Sequence, residues 1–187
     1  MDAVKKKENM NVKEMVLTGA FAAIFCILAP ISLPIPISPV PISLTNLVLY
    51  FALYILGMRR GCISYLVYLL IGFVGLPVFS GFTGGAGKLL GPTGGYLFGF
   101  VFLALISGFF LERYSERAGI CFLAMAAGTA VCYVFGSLWL SYQAKMPLAG
   151  AFSAGVIPFI PGDLCKIVLA LLLGPQLKKR LVRAHLA

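Results

Sequence analysis

The chain has 187 residues, of which 60% are hydrophobic and 11% charged, with a mean hydropathy of +0.99 and a formal net charge of +9. That balance excludes a soluble globular domain and predicts an all-α integral membrane protein embedded in a lipid bilayer. The basic excess comes without a basic groove interleaved with aromatics, so nucleic acid is not an expected partner.

At this length the chain forms one membrane domain, 1–187, with room for six membrane-spanning helices. They are placed near 14–30, 43–58, 61–77, 93–111, 119–140 and 151–174. The basic start leads into an apolar segment with no small-residue cleavage site, so Met15 to Pro30 reads as a retained first helix. On it Gly19 and Ala23 form an i, i+4 pair of small residues, a spacing that lets another helix approach closely. Its occupant is either a neighbour in the same bundle or a separate protein.

After this helix comes an uncharged run with prolines at Pro34, Pro36, Pro39 and Pro41. Such a run cannot continue a helix and favours an extended, semi-rigid course. It is either an apolar loop lying on the bundle or a lid over a binding cavity. Arg59 and Arg60 then divide the second helix from the third.

Between the third and fourth helices, residues 75–96 contain eight glycines, among them Gly84 and Gly85. Glycine allows positive φ and close backbone approach, so this segment is expected to fold into the mouth of the bundle. There its N–H and C=O groups can face a solute. Gly87-Lys88 is not a Walker A motif, because Phe82 stands where the first glycine belongs and Leu89 follows the lysine. The glycine spacing also misses the dinucleotide fingerprint. No ATPase is therefore encoded here, and uphill movement of a solute requires an ion gradient or a partner.

Arg113 and Arg117 divide the fourth helix from the fifth, whose outer end carries Trp139 and Tyr142 as interfacial anchors. The last apolar run contains Asp163 and Lys166. In a continuous helix over 151–174 they lie near mid-membrane, where each charge costs about 2.5–3.5 kcal/mol to insert. At i and i+3 they share a face and partly neutralise each other. The pair is either a structural bridge at a kink or a polar site facing a cavity.

Twelve of the fifteen Lys and Arg residues fall on one side of this arrangement, including Lys5, Lys6, Lys7, Lys13 and the Lys178–Arg183 tail. Both termini are therefore expected to be cytoplasmic. The five cysteines are scattered without C-x-x-C spacing and read as buried thiols. The lone His185 sits in the basic tail, so neither a metal site nor a Ser/His hydrolase is supported. With Asp163 the only acid inside the spans apart from Glu14 at the first residue of the first, paired-carboxylate chemistry is excluded as well, and no enzyme is expected.

The run Gly75-Leu-Pro-Val-Phe79, the block Leu90-Gly-Pro-Thr-Gly-Gly-Tyr96 and Ile157-Pro-Phe-Ile-Pro-Gly-Asp-Leu-Cys-Lys166 together resemble the BioY family. Val40-Pro-Ile-Ser-Leu44 and Gly57-x-Arg-Arg-Gly61 extend the resemblance over nearly the whole chain. The resemblance implies a six-helix S-component fold of energy-coupling factor (ECF) transporters, in the plasma membrane of a prokaryote. It implies biotin as transported ligand and no cofactor. It also implies a transmembrane coupling protein and two cytoplasmic ATPases as partners, with Gly19 and Ala23 as the docking pair. Asp163, acceptor-only when ionised, suits a ureido N–H, and Lys166 suits the ureido carbonyl or a carboxylate. Phe79, Phe82 and Tyr96 are candidates to pack the rings, with Ser80, Thr45, Asn46, Gly84 and Gly85 as further contacts. An S component for another vitamin, or a non-transport scaffold with a structural Asp–Lys pair, are the alternatives.

Overall fold

The computed structural model describes residues 12–36 and 38–184, so Lys5, Lys6, Lys7 and His185 lie outside the described residues. Helix α1 covers Val12–Leu28 and is followed by strands β1 (Ser32–Ile35) and β2 (Ser38–Ser43). Then come α2 (Thr45–Phe73), the short α3 (Ala86–Leu89), α4 (Gly94–Tyr114) and α5 (Ala118–Ala144). The chain ends with α6 (Leu148–Gly155), a 3-10 turn at Ile157–Phe159, and α7 (Ile160–Arg183). Among the described residues, four segments are long and apolar enough to cross a membrane: Thr45–Phe73, Gly94–Tyr114, Ala118–Ala144 and Leu148–Arg183. Leu70, Phe73, Phe109, Leu123, Leu138 and Leu172 are exposed on the outside of the bundle. An apolar exterior of this kind suits hydrocarbon rather than water.

The proline run is more ordered than an extended loop. It forms an antiparallel hairpin in which Ser32 pairs with Ser43, Leu33 with Ile42 and Ile35 with Ser38. The register slips between Leu33 and Ile35, at Pro34, which has no N–H to give to the ladder. Ser38 Oγ accepts the Val40 N–H at 3.0 Å and closes the turn side of β2.

Segments 43–58 and 61–77, expected as separate helices, are joined through a single residue. Gly57 takes φ 80° and ψ −179°, which interrupts α2 and turns its second half back along its first. Gly61 thereby sits against Ala52 and Leu53. A side chain at Gly57 would also overlap the carboxylate of Glu112, which accepts the Met58 N–H at 2.6 Å. Nearby Arg60 pairs with Glu14 at 2.8 Å, so the start of α1, the α2 turn and the end of α4 meet at one charged end.

The final helix departs most from expectation. A continuous helix over 151–174 is replaced by α6, the 3-10 turn and α7. Pro158 and Pro161 lack the N–H groups that would bond back one turn, and their rings clash with an unbroken helix. Asp163 consequently lies in the first turn of α7, not in mid-helix. The positive end of the helix dipole stabilises a carboxylate placed there.

Phe25, Tyr65, Tyr68 and Phe79 form a chain of ring contacts with centroids 5.4–5.6 Å apart, and bind α1, α2 and the glycine segment together. Tyr65 donates to the Leu97 carbonyl at 2.8 Å, and Tyr50 shares a 2.6 Å hydrogen bond with Thr129.

Candidate functional site

The fold brings the start of α2, the middle of α5 and the start of α7 to one buried polar cluster beneath β2. Asn46 Nδ2 donates to Asp163 Oδ1 at 2.8 Å, and Tyr133 donates to Asp163 Oδ2 at 2.5 Å. Lys166 Nζ donates to Asp163 Oδ1 and Asn46 Oδ1, each at 3.0 Å, and to the Ser43 carbonyl at 2.7 Å. Asp163 and Lys166 are each 8% exposed, and Asn46 is 3% exposed. A charge pair this deep is tolerated only when its remaining hydrogen-bonding capacity is met, and removing one partner typically costs about 3–5 kcal/mol.

An ammonium has three N–H donors, and all three of Lys166 are engaged within the protein. A carboxylate offers about four acceptor positions, of which Asp163 uses three. One acceptor position on Asp163 and the second N–H of Asn46 are thus left over. They adjoin a cavity lined by Val40, Pro41 and Ser43 of β2, Thr45 and Asn46, Tyr68, Ser80, Thr93, Tyr96, Phe100, Tyr133, Phe159, Asp163 and Lys166. The Tyr68 hydroxyl is buried at this cavity beside Thr45 without meeting a partner at hydrogen-bonding geometry. Thr45 Oγ1 accepts from Ser43 Oγ at 3.1 Å. The cavity therefore offers a mixed set of donors and acceptors at the α2 and α7 side, with aromatic walls around it.

Tyr96 owes its position to two close approaches. Gly136 and Gly155 have no side chains where its ring and hydroxyl pass, and its hydroxyl donates to the Gly155 carbonyl at 3.1 Å. Of the residues expected from the sequence, Asp163, Lys166, Tyr96, Thr45, Asn46 and Ser80 converge on the cavity. Phe79, Gly84 and Gly85 do not line it. Phe79 is fully buried behind it, packed on Gly72 and edge-on to Tyr68. Gly84 lies against the Gly75 and Leu76 carbonyls, and Gly85 N–H is taken by the Gly72 carbonyl at 2.7 Å. Phe82 is 68% exposed, away from the site.

Tyr133, Tyr68, Thr93 and the Ser43 carbonyl belong to the cavity but were not expected. Thr129 and Tyr133 do carry a signal, since with Ser137 they form a row of polar residues at i, i+4 and i+8 that marks one face of a largely apolar helix. On α1, Gly19 and Ala23 are exposed, and no atom within 4 Å would meet a side chain added at Gly19. The small pair is thus not a packing seam inside this bundle. Trp139, expected as an interfacial anchor, also donates to the Gly91 carbonyl at 2.9 Å, while Tyr142 is 80% exposed.

A family model described as the BioY family matches residues 4–183. A protein of Thermotoga maritima named "Biotin transporter BioY" is 38% identical over 168 residues, covering 90% of this chain and 97% of the relative. One of the same name from Rhizobium etli is 39% identical over 176 residues, covering 88% and 92%. The crystal structure of an "S-component for biotin from an ECF-type ABC transporter" superposes with a TM-score of 0.84 at 31% identity, covering 91% of this chain and 95% of that one.

Proposed function

The chain belongs to the BioY family, and from that premise we propose that it is the biotin-binding membrane subunit of an ECF transporter. It is a membrane protein and not an enzyme. The observation that carries the biotin reading is the closed Asn46–Asp163–Lys166–Tyr133 network at a cavity with a few unused donors and acceptors. Biotin presents two ureido N–H donors and one carbonyl acceptor on a compact apolar bicycle. Asp163 receives a ureido N–H at its remaining acceptor position, and Asn46 or Tyr68 donates to the ureido carbonyl. Lys166, with its three donors already engaged, holds Asp163 and Asn46 in register rather than reaching the ligand. Tyr96, Phe100 and Phe159 enclose the apolar part. Thr45 and Ser80 supply further polar contacts.

Around this site we place six membrane spans, counting α2 as two and α6–α7 as one, with both termini in the cytoplasm. Lys13 at the start of α1, Arg59 and Arg60 at the α2 turn, and Arg113 and Arg117 between α4 and α5 gather at one end, and such an excess of basic residues supports a cytoplasmic face there. The membrane is then the plasma membrane of a prokaryote. Gly19 and Ala23 form the face that docks on the coupling protein, and the associated ATPases drive uptake. Their exposure supports this reading. Gly19→Leu with Ala23→Leu is expected to keep biotin affinity within a few-fold while abolishing co-purification with the coupling module and ATP-driven uptake. Normal assembly of the double variant would move the docking surface elsewhere.

Isothermal titration of the purified protein tests the ligand directly. Biotin is expected to saturate one site, with thiamine and riboflavin giving no heat. Equal binding of another vitamin, or no binding of biotin, overturns the assignment.

A further inference from the structure

Two cavities meet at Asp163. Besides the polar one, an apolar groove opens sideways between α5 and α6–α7, lined chiefly by Ala130, Val134, Phe152, Val156, Ile160 and Leu164. Val134, Phe152, Ile160 and Leu164 are exposed, so the groove faces the surroundings of the bundle. The two cavities share Thr129, Tyr133 and Asp163 as lining. Thr129 is short, and its hydroxyl donates to the Met125 carbonyl at 2.7 Å while bonding Tyr50. Asp163 is held by three internal donors. Tyr133 is the one large side chain of the three, and its hydroxyl is anchored on Asp163 Oδ2. Half-buried, its ring lines the inner cavity on one side and the groove on the other.

We propose that the Tyr133 ring is the partition that separates the ligand cavity from the lateral groove, and that it sets ligand specificity by excluding substituents at the Asp163 end. The inference rests on the biotin reading. A ring wall is needed because the groove beyond it is apolar and large enough to accept a side group. With the ring in place, a ligand bearing an apolar group on its ureido end meets an aromatic face fixed by a hydrogen bond. Without it, that group runs into the groove among Ala130, Val134 and Leu164. Tyr133 thus has two separable roles: the hydroxyl positions Asp163, and the ring closes the side of the site.

Binding of biotin and of biotin benzylated on one ureido nitrogen separates these roles: benzylation removes an N–H for every variant alike, so the change of preference between variants reads the ring. The wild type is expected to prefer biotin by at least about 100-fold. Tyr133→Phe keeps the ring, so affinity for both ligands falls several-fold while the preference is unchanged. Tyr133→Ala opens the partition, and the preference is expected to shrink at least tenfold even as biotin binding weakens. Tyr133→Leu, which keeps more of the helix packing, should shift the preference in the same direction and decides the matter if the alanine variant does not fold. A wild-type preference in a folded Ala or Leu variant overturns the proposal, as does a Phe variant that relaxes like Ala. If the wild type binds neither ligand, the biotin reading has failed, and this inference falls with it.

Discussion

The proline hairpin and the glycine segment lie at the same end of the bundle, yet they treat the cavity in opposite ways. The hairpin has prolines where donors would be, so its backbone cannot satisfy itself fully, and it is held from outside. Lys166 takes the Ser43 carbonyl, while Val40, Pro41 and Ser43 line the cavity. The glycine segment keeps its N–H groups except at Pro77 and Pro92, and spends many of them on carbonyls of its own or of the helices beside it. Phe79 and Thr83 exchange backbone bonds, Gly81 donates to Pro30 and Gly85 to Gly72. Its Leu90 and Gly91 carbonyls are taken by Gln143 and Trp139. Of residues 75–96 Ser80, Thr93 and Tyr96 line the cavity, and none of the eight glycines does. A segment rich in free backbone groups is not thereby a ligand-binding segment; what matters is whether those groups already have partners.

The strongest way to break this contrast is at the charged pair that ties the hairpin to α7. Asp163→Asn removes a charged acceptor and leaves Lys166 underpaired, for an expected loss of about 2–5 kcal/mol in biotin binding, roughly 30-fold or more. Lys166→Met should do comparable harm and also release Ser43. Hydrogen exchange is then expected to rise across residues 38–43 but not across 79–91. Uniform protection in both segments would show that the hairpin is held by something other than Lys166.

Tyr68 offers a finer test, because its ring packs edge-on against Phe79 of the glycine segment while its hydroxyl reaches the cavity. Tyr68→Phe keeps the ring contact and removes the hydroxyl. One neutral hydrogen bond is worth about 0.5–1.5 kcal/mol, so titration should show a loss of roughly two- to tenfold. Unchanged affinity would mean that this hydroxyl does not meet the ligand. Phe79→Leu should do the reverse, lowering thermal stability by about 1–3 kcal/mol while leaving affinity within about threefold. A large affinity loss there would make the glycine segment a direct contributor after all.

The smallest effect is expected at Gly85, whose φ of +86° is costly for other residues although no neighbour would meet an added side chain. With ψ at 166° as well, Gly85→Ala should cost about 1–3 kcal/mol of backbone strain and leave biotin affinity unchanged. A specific loss of binding in a variant of normal stability would contradict the self-satisfied reading of this segment.

Much of the site was legible in the sequence because charge and hydroxyl groups in apolar helices are rare and costly. Asp163 and Lys166 announce themselves on that ground alone, and the fold places Asn46 and Thr45 beside them. Their mutual contact was not legible, since Asn46 and Asp163 are 117 positions apart and no local pattern encodes the pairing. The break before Asp163 was available in Pro158 and Pro161 but was masked by the continuity of the apolar run. Hydropathy reports where a chain is greasy, whereas the missing N–H groups decide where a helix can continue. The hairpin was missed in the same way, as an extended segment whose partner strand is itself. Phe79 misled because an aromatic beside a pocket and an aromatic behind it have the same sequence signature. Tyr133 has only a weak signal, its i, i+4 relation to Thr129, in a helix that also carries Phe135, Trp139 and Tyr142.

The chain has a single tryptophan, and it is already wired to the segment above the cavity. Trp139 donates its indole N–H to the Gly91 carbonyl, lies against Gly95 and packs near Phe98 with centroids 6.2 Å apart. Indole emission depends on that hydrogen bond and on the polarity around the ring, so the native protein contains its own optical reporter of the glycine segment. A ligand that leaves the segment pinned should leave the emission maximum in place. One that pulls residues 90–95 away should shift it, with no dye, tag or engineered residue needed to see the movement.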